Sequence, residues 1–116
     1  MHWIHLTEED QLQHLVVKSQ EKPQIIFKYS PRWLSSDIAF RRLQEKCCPE
    51  TADFYFLDII TYRAVSDKLC DFCNLPNESP QVILIRDGAC IYEESHWRIN
   101  ADELMREVFQ ANIVNV

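Results

Sequence analysis

The sequence predicts a three-layer α/β domain, a mixed sheet with helices on both faces, and three observations predict it. Apolar runs of strand length alternate with segments of helical periodicity along the chain. The first run, Gln24-Ile25-Ile26-Phe27-Lys28-Tyr29, is a nearly continuous β-branched and aromatic stretch, the composition of a central strand covered on both faces. The third, Gln81 to Arg86, is joined by Asp87-Gly88 to Ala89-Cys90-Ile91-Tyr92, a strong signal for a two-residue hairpin. Right-handed crossovers between alternating elements give parallel pairs and the hairpin adds an antiparallel one, so the sheet is mixed. At 116 residues the chain fits a single domain, residues 1–116, with one core and no need of disulfide staples.

Each element has its own signals. Trp3 to His5 can form an edge strand, and Thr7 can cap a first helix, with Asp10 at its third position and Leu12, Leu15 and Val16 as its apolar stripe up to about Ser19. Pro23 closes that segment. After the first long strand, Ser30 to Leu34 is a turn, and Ser35 or Ser36 can cap a helix whose inward face carries Ile38, Ala39, Leu43 and Cys47 before Pro49 stops it. Asp53 to Ile59 is a second buried strand. Arg63 to Cys73 is a helix with Val65, Leu69, Cys70 and Cys73 near one face, and Asn74 to Asn77 is the loop after it. Asn100 to Glu103 resembles a capping box and starts a last helix with Leu104, Val108 and Phe109 facing inward.

Charge and composition exclude several functions. Lys plus Arg number 12 against 18 Asp plus Glu, and a net charge of −6 disfavours the phosphate-tracking surface a nucleic-acid binder needs. No apolar stretch approaches the roughly 20 residues of a membrane span, and the acidic Glu8-Glu9-Asp10 is unlike a signal peptide, so a cytoplasmic protein is expected. A single glycine excludes dinucleotide and phosphate loops. Five cysteines, an odd number at irregular spacing, point to reduced thiols rather than a disulfide framework.

Short pieces in a fixed order carry a family resemblance. The segment from Phe27 to Ser36, Phe-Lys-Tyr-Ser-Pro-Arg-Trp-Leu-Ser-Ser, resembles the active-site segment of the YtxJ-type, monothiol bacilliredoxin-like family, which typically runs Phe-Lys-His-Ser-Thr-Arg-Cys-Pro-Ile-Ser. Glu78-Ser79-Pro80-Gln81 is similar to that family's His-Glu-Ser-Pro-Gln, with Asn77 in place of the histidine, and Ser95-His96-Trp97 with Ile99 resembles its C-terminal segment. The resemblance spans nearly the whole chain. It implies a thioredoxin-like domain in low-molecular-weight thiol metabolism, where the family's cysteine exchanges with protein disulfides mixed with bacillithiol. A cysteine at a helix N-terminus has its thiolate stabilised by the helix dipole and free N–H groups. By match Trp33 stands in that seat, Leu34 replaces the proline beside it, and Ser36 retains the family's serine. The same match makes Ser79-Pro80 a cis bond facing Trp33, with backbone groups free to pair with an extended substrate.

The remaining chemistry is weighed against packing. Cys70-Asp71-Phe72-Cys73 is a Cys-x-x-Cys, yet it falls at a helix end, where the dipole disfavours a thiolate, so both thiols are expected reduced and largely buried. A zinc site joining Cys47 and Cys48 to Cys70 and Cys73 ranks far below packing, because adjacent cysteines are an unusual ligand pair and the two helices belong on opposite faces. Cys90 reads as a small strand residue. Arg32 can bind a carboxylate, bacillithiol having a malate moiety, although a solvated arginine is the plainer reading. Two functions follow. One is a non-catalytic module that holds an extended peptide or partner protein with Arg32, Trp33, Ser79 and Pro80, using no cofactor or metal, with bacillithiol as a further substrate or ligand. The other is a thiol-disulfide oxidoreductase working on bacillithiol mixed disulfides through a relocated thiol such as Cys70 or Cys73, so whether the chain is an enzyme stays open.

Overall fold

Strands able to be covered on both faces take the centre of the sheet. The computed structural model describes residues 1–113. Its sheet places β2 (Gln24–Tyr29) between β3 (Asp53–Asp58), which is parallel to it, and β4 (Gln81–Arg86), which is antiparallel. The two-residue β1 (Ile4–His5) edges β3, and β5 (Ala89–Ser95) edges β4, giving the order β1-β3-β2-β4-β5. Asp87 and Gly88 take positive φ values of 53° and 77°, so the predicted two-residue hairpin is present. The second strand runs three residues beyond the expected Tyr92, because pairing with β4 continues to Gln81 opposite Ser95.

Alternation along β2 divides the core into two layers. Ile25 and Phe27 point into one, packed by α2 (Leu34–Lys46) and α4 (Ala101–Ala111), while Ile26 points into the other, packed by α1 (Glu9–Lys18) and α3 (Arg63–Cys73). Phe27 lies within ring contact of Trp3, Phe40 and Phe56, an aromatic cluster at the root of the turn after β2.

Several local expectations are corrected. Glu8, not Thr7, caps α1, because Gln11 reaches back to accept from the backbone N–H groups of both Thr7 (2.8 Å) and Glu8 (3.0 Å), which Asp10 is too short to do. Trp33 rather than Ser35 or Ser36 is the N-cap of α2: its carbonyl already accepts from Ser36 N, and the Ser36 hydroxyl instead accepts from Ser30 N at 3.2 Å, pinning the turn. Asn100 caps α4 as expected, accepting from Glu103 N, but Phe109 is exposed because Ala101, Leu104 and Val108 already complete the inward stripe.

The cysteines need the largest correction. Cys70 is a buried free thiol as expected, whereas Cys73 is half-buried and disulfide-bonded to Cys90. The left-handed Asn74 ends α3 just where Cys73 comes level with the outer strand, leaving the two Cα atoms 5.6 Å apart, within bridging range. Cys90 is therefore a cross-link between α3 and β5 rather than a small packing residue. Among the described residues no group of three or more His, Cys, Asp or Glu is placed to hold a metal ion, and no helix is long and apolar enough to cross a membrane.

Candidate binding groove

The turn after β2 and the loop before β4 meet at one end of the sheet, because the two strands are adjacent and antiparallel. Trp33 and Ser35 at the start of α2 face Asn77, Glu78 and Ser79 across an open groove, with Ile59, Arg63 and His96 completing its lining. Ser79-Pro80 is cis, as expected, and shares this groove with Trp33. Pro80 itself is buried, and its carbonyl accepts from His96 N at 2.9 Å, tying the loop to the short 3-10 turn His96–Arg98. His96 Nε2 lies 2.7 Å from a Glu78 carboxylate oxygen, which links the same two segments by side chains.

Apolar side chains at and next in sequence to the groove-lining residues are left uncovered by the fold. Trp33 is 58% exposed, Leu34 73% and Trp97 77%. Ser79 Oγ is buried with no hydrogen-bond partner among the described residues. Arg32 is exposed on the turn and is not a lining residue; the cation of the groove is Arg63, which the sequence did not single out. No lining residue is a cysteine among the described residues. Ser36, beneath Trp33, is fully buried and serves the turn through Ser30.

Beneath the loop lies a polar cluster that sequence reading missed. Lys28 on β2 is fully buried, and its Nζ donates to Gln81 Oε1 at 2.9 Å and to Asn77 Oδ1, and lies 3.1 Å from Cys70 Sγ. Asn77 Oδ1 also accepts from Ser66 Oγ, and its amide donates to Asp67. These bonds clamp the loop from Asn77 to Gln81 against α3. The signal was available: a lysine inside a strand covered on both faces has to find buried partners.

Burial lowers the Lys28 pKa from the usual 10.5, against the opposing pull of the Cys70 contact and of the Asp67 and Glu78 charges. A basic group with a lowered folded pKa leaves the unfolded chain holding more protons, so stability rises with pH through the window ending at 10.5 and is lost as pH falls through the folded pKa. We expect the unfolding free energy of the wild type, minus that of Lys28→Met, to climb by up to about 1.4 kcal/mol per pH unit there. Cys47, pushed up to about 12 by burial, and the raised Tyr29, Tyr55 and Tyr92 phenols act in the opposite sense in both proteins and cancel in the difference. Urea titrations at stepped pH measure it, and a flat difference would refute the lowered pKa.

Comparison with known proteins agrees with this geometry. A structure described as having a thioredoxin fold, with an ascribed oxidoreductase role, superposes at a TM-score of 0.79 with 24% identity, covering 95% of this chain and 93% of the other. Malassezia sympodialis thioredoxin is similar at 0.75 with 10% identity, over 97% and 92% of the two chains. Fasciola hepatica thioredoxin gives 0.73 with 12% identity, over 94% and 99%. At those identities the likeness is one of fold. No curated protein sequence matches. The family model described as monothiol bacilliredoxin BrxC matches residues 4–104, which takes in the turn at Trp33, the Ser79-Pro80 loop and all five strands, and on that match the chain belongs to the monothiol bacilliredoxin family.

Proposed function

We propose that this chain is a degenerate member of its family, with Trp33 in the seat of the nucleophilic cysteine, and that it holds an extended peptide or partner protein in cytoplasmic thiol redox homeostasis. The observation that carries this reading is the exposed Trp33, facing Ser79 across a groove whose lining holds no thiol among the described residues. Large aromatics in a partly enclosed site dominate interface energetics, and Trp33 has Leu34 and Trp97 as apolar neighbours at the same end of the sheet. Arg63 in the groove and Arg32 beside it suit the carboxylates of a bound segment or of bacillithiol itself.

The thiols of the oxidoreductase reading lie elsewhere. Cys70 is buried under the loop and Cys73 is held by Cys90. Neither lies at a helix N-terminus, where a thiolate gains most.

The test is a titration of isotope-labelled protein with a synthetic library of unstructured peptides, followed by NMR. Shifts are expected at the Trp33 indole and the Ser79 amide. Trp33→Ala should weaken the tightest peptide about thirtyfold, the scale of losing a hot spot of about 2 kcal/mol. Undiminished binding by that variant, or reduction of a bacillithiol mixed disulfide by the unmodified protein, would overturn the reading.

A further inference from the structure

Lys28 and Cys70 bring an amine and a thiol into contact in the protein interior, from β2 and α3, 42 positions apart in sequence. Nζ stands 3.1 Å from Sγ, and both residues are buried. We propose that this pair is an oxidation site, at which a hydroperoxide converts the Cys70 thiol to a sulfenic acid and Lys28 Nζ then closes a sulfenamide cross-link between β2 and α3.

The chemistry balances. The Lys28 amine takes the thiol proton, the thiolate sulfur donates an electron pair to one peroxide oxygen, the O–O bond breaks, and the other oxygen takes that proton back from the ammonium and leaves as an alcohol or water. Sulfur is oxidised by two electrons and the peroxide is reduced by two. The amine lone pair then attacks sulfur, the S–O bond breaks, and the departing hydroxide takes one amine proton as a second water. The net change is loss of one hydrogen from sulfur and one from nitrogen, with an S–N bond formed.

Three features favour capture by the amine. Sulfenic acids condense with a neighbouring thiol or nitrogen, and the helical neighbour Cys73 is already bonded to Cys90. The other hydrogen-bond partners of Cys70 Sγ among the described residues are the carbonyl of Pro76 at 3.8 Å and Gln81 Oε1 at 4.0 Å, neither of them a nucleophile toward sulfur. Burial also favours the neutral amine, the form with a lone pair to give. Oxidant entry is assigned to the side of Asn77, which is exposed and bonded to Nζ. Closing the link leaves Nζ one N–H to share between Asn77 and Gln81, so oxidation loosens the clamp beneath the loop.

The experiment treats the native protein, its disulfide intact, with hydrogen peroxide, then alkylates and digests it without reductant for peptide mass spectrometry. Expected are loss of tryptic cleavage at Lys28 and a species in which the Lys28 peptide is joined to the Cys70 peptide, itself held to the Cys90 peptide by the Cys73–Cys90 disulfide; it is lighter by two hydrogens than the Lys28 peptide plus that disulfide-linked pair, retains no oxygen, and yields all three peptides with excess thiol. In Lys28→Met, Cys70 should instead be trapped by dimedone, and Cys70→Ser should restore cleavage at Lys28; the wild-type map decides the matter even if a variant fails to fold. Oxidised Cys70 with Lys28 unlinked, a link that retains oxygen, or Cys70 still a free thiol once exposed Cys48 is consumed would each overturn the proposal.

Discussion

Phe27→Ala is expected to lower the unfolding free energy by about 3–5 kcal/mol, the range for removing a buried aromatic and leaving a cavity. Phe27 is fully buried on the central strand and contacts the rings of Trp3, Phe40 and Phe56. Trp3 lies ahead of β1, Phe40 is on α2 and Phe56 is on β3, so the gap would open where three elements converge. Neighbouring β-sheet hydrogen bonds prevent β2 from collapsing into it. Set against the roughly 5–15 kcal/mol of a typical domain, such a loss would move the urea midpoint far with little change in slope. A cost below about 1 kcal/mol would show that the aromatic cluster is not packed as described.

The fold was legible because its determinants are local. β-branched runs bounded by proline, helical stripes and the Asp87-Gly88 turn each act within a few residues, and every long element lies where those signals place it. Cap positions slipped by a residue or two where longer side chains or backbone groups took over, as with Gln11 reaching back over α1 and Trp33 supplying the first carbonyl of α2. Phe109 misled because periodicity reports a face without its width, and three smaller residues already filled that face. The groove was legible through its ordered segments, Trp33 and Ser79-Pro80 being brought together as their match implies. Three features were not. The Cys73–Cys90 link depends on where a helix end falls beside a strand, which no local pattern encodes, and the partners of Lys28 come from α3 and the loop before β4. Arg63 joined the groove for the same reason, since its place is set by the crossover from β3 and not by any motif around it.

Trp33→Cys is expected to create a thiol with a pKa at or below roughly 7.5, within the range of cysteines at helix N-termini and well under the roughly 8.5 of a free cysteine. The expectation rests on position. Trp33 is the N-cap of α2, a helix of 13 residues, and its side chain faces solvent at the end where backbone N–H groups lack carbonyl partners. Those groups and the helix dipole stabilise a negative sulfur there, and the nearby Arg63 adds a cation to the same groove. A short unstructured cysteine peptide added to the sample serves as the reference thiol. Iodoacetamide labelling resolved peptide by peptide across a pH series reads both thiols in one sample without disturbing Cys73–Cys90, and at acidic pH the new thiol should be at least about tenfold richer in thiolate than a free one. Turnover is a separate matter, because Leu34 and Asn77 also depart from the family's segments and Asn77 is committed to Lys28 and Ser66. A variant thiol that titrates together with the reference peptide would place the nucleophile's seat elsewhere, since a sulfur at a true N-terminal seat cannot avoid the field of the groups that α2 leaves unpaired.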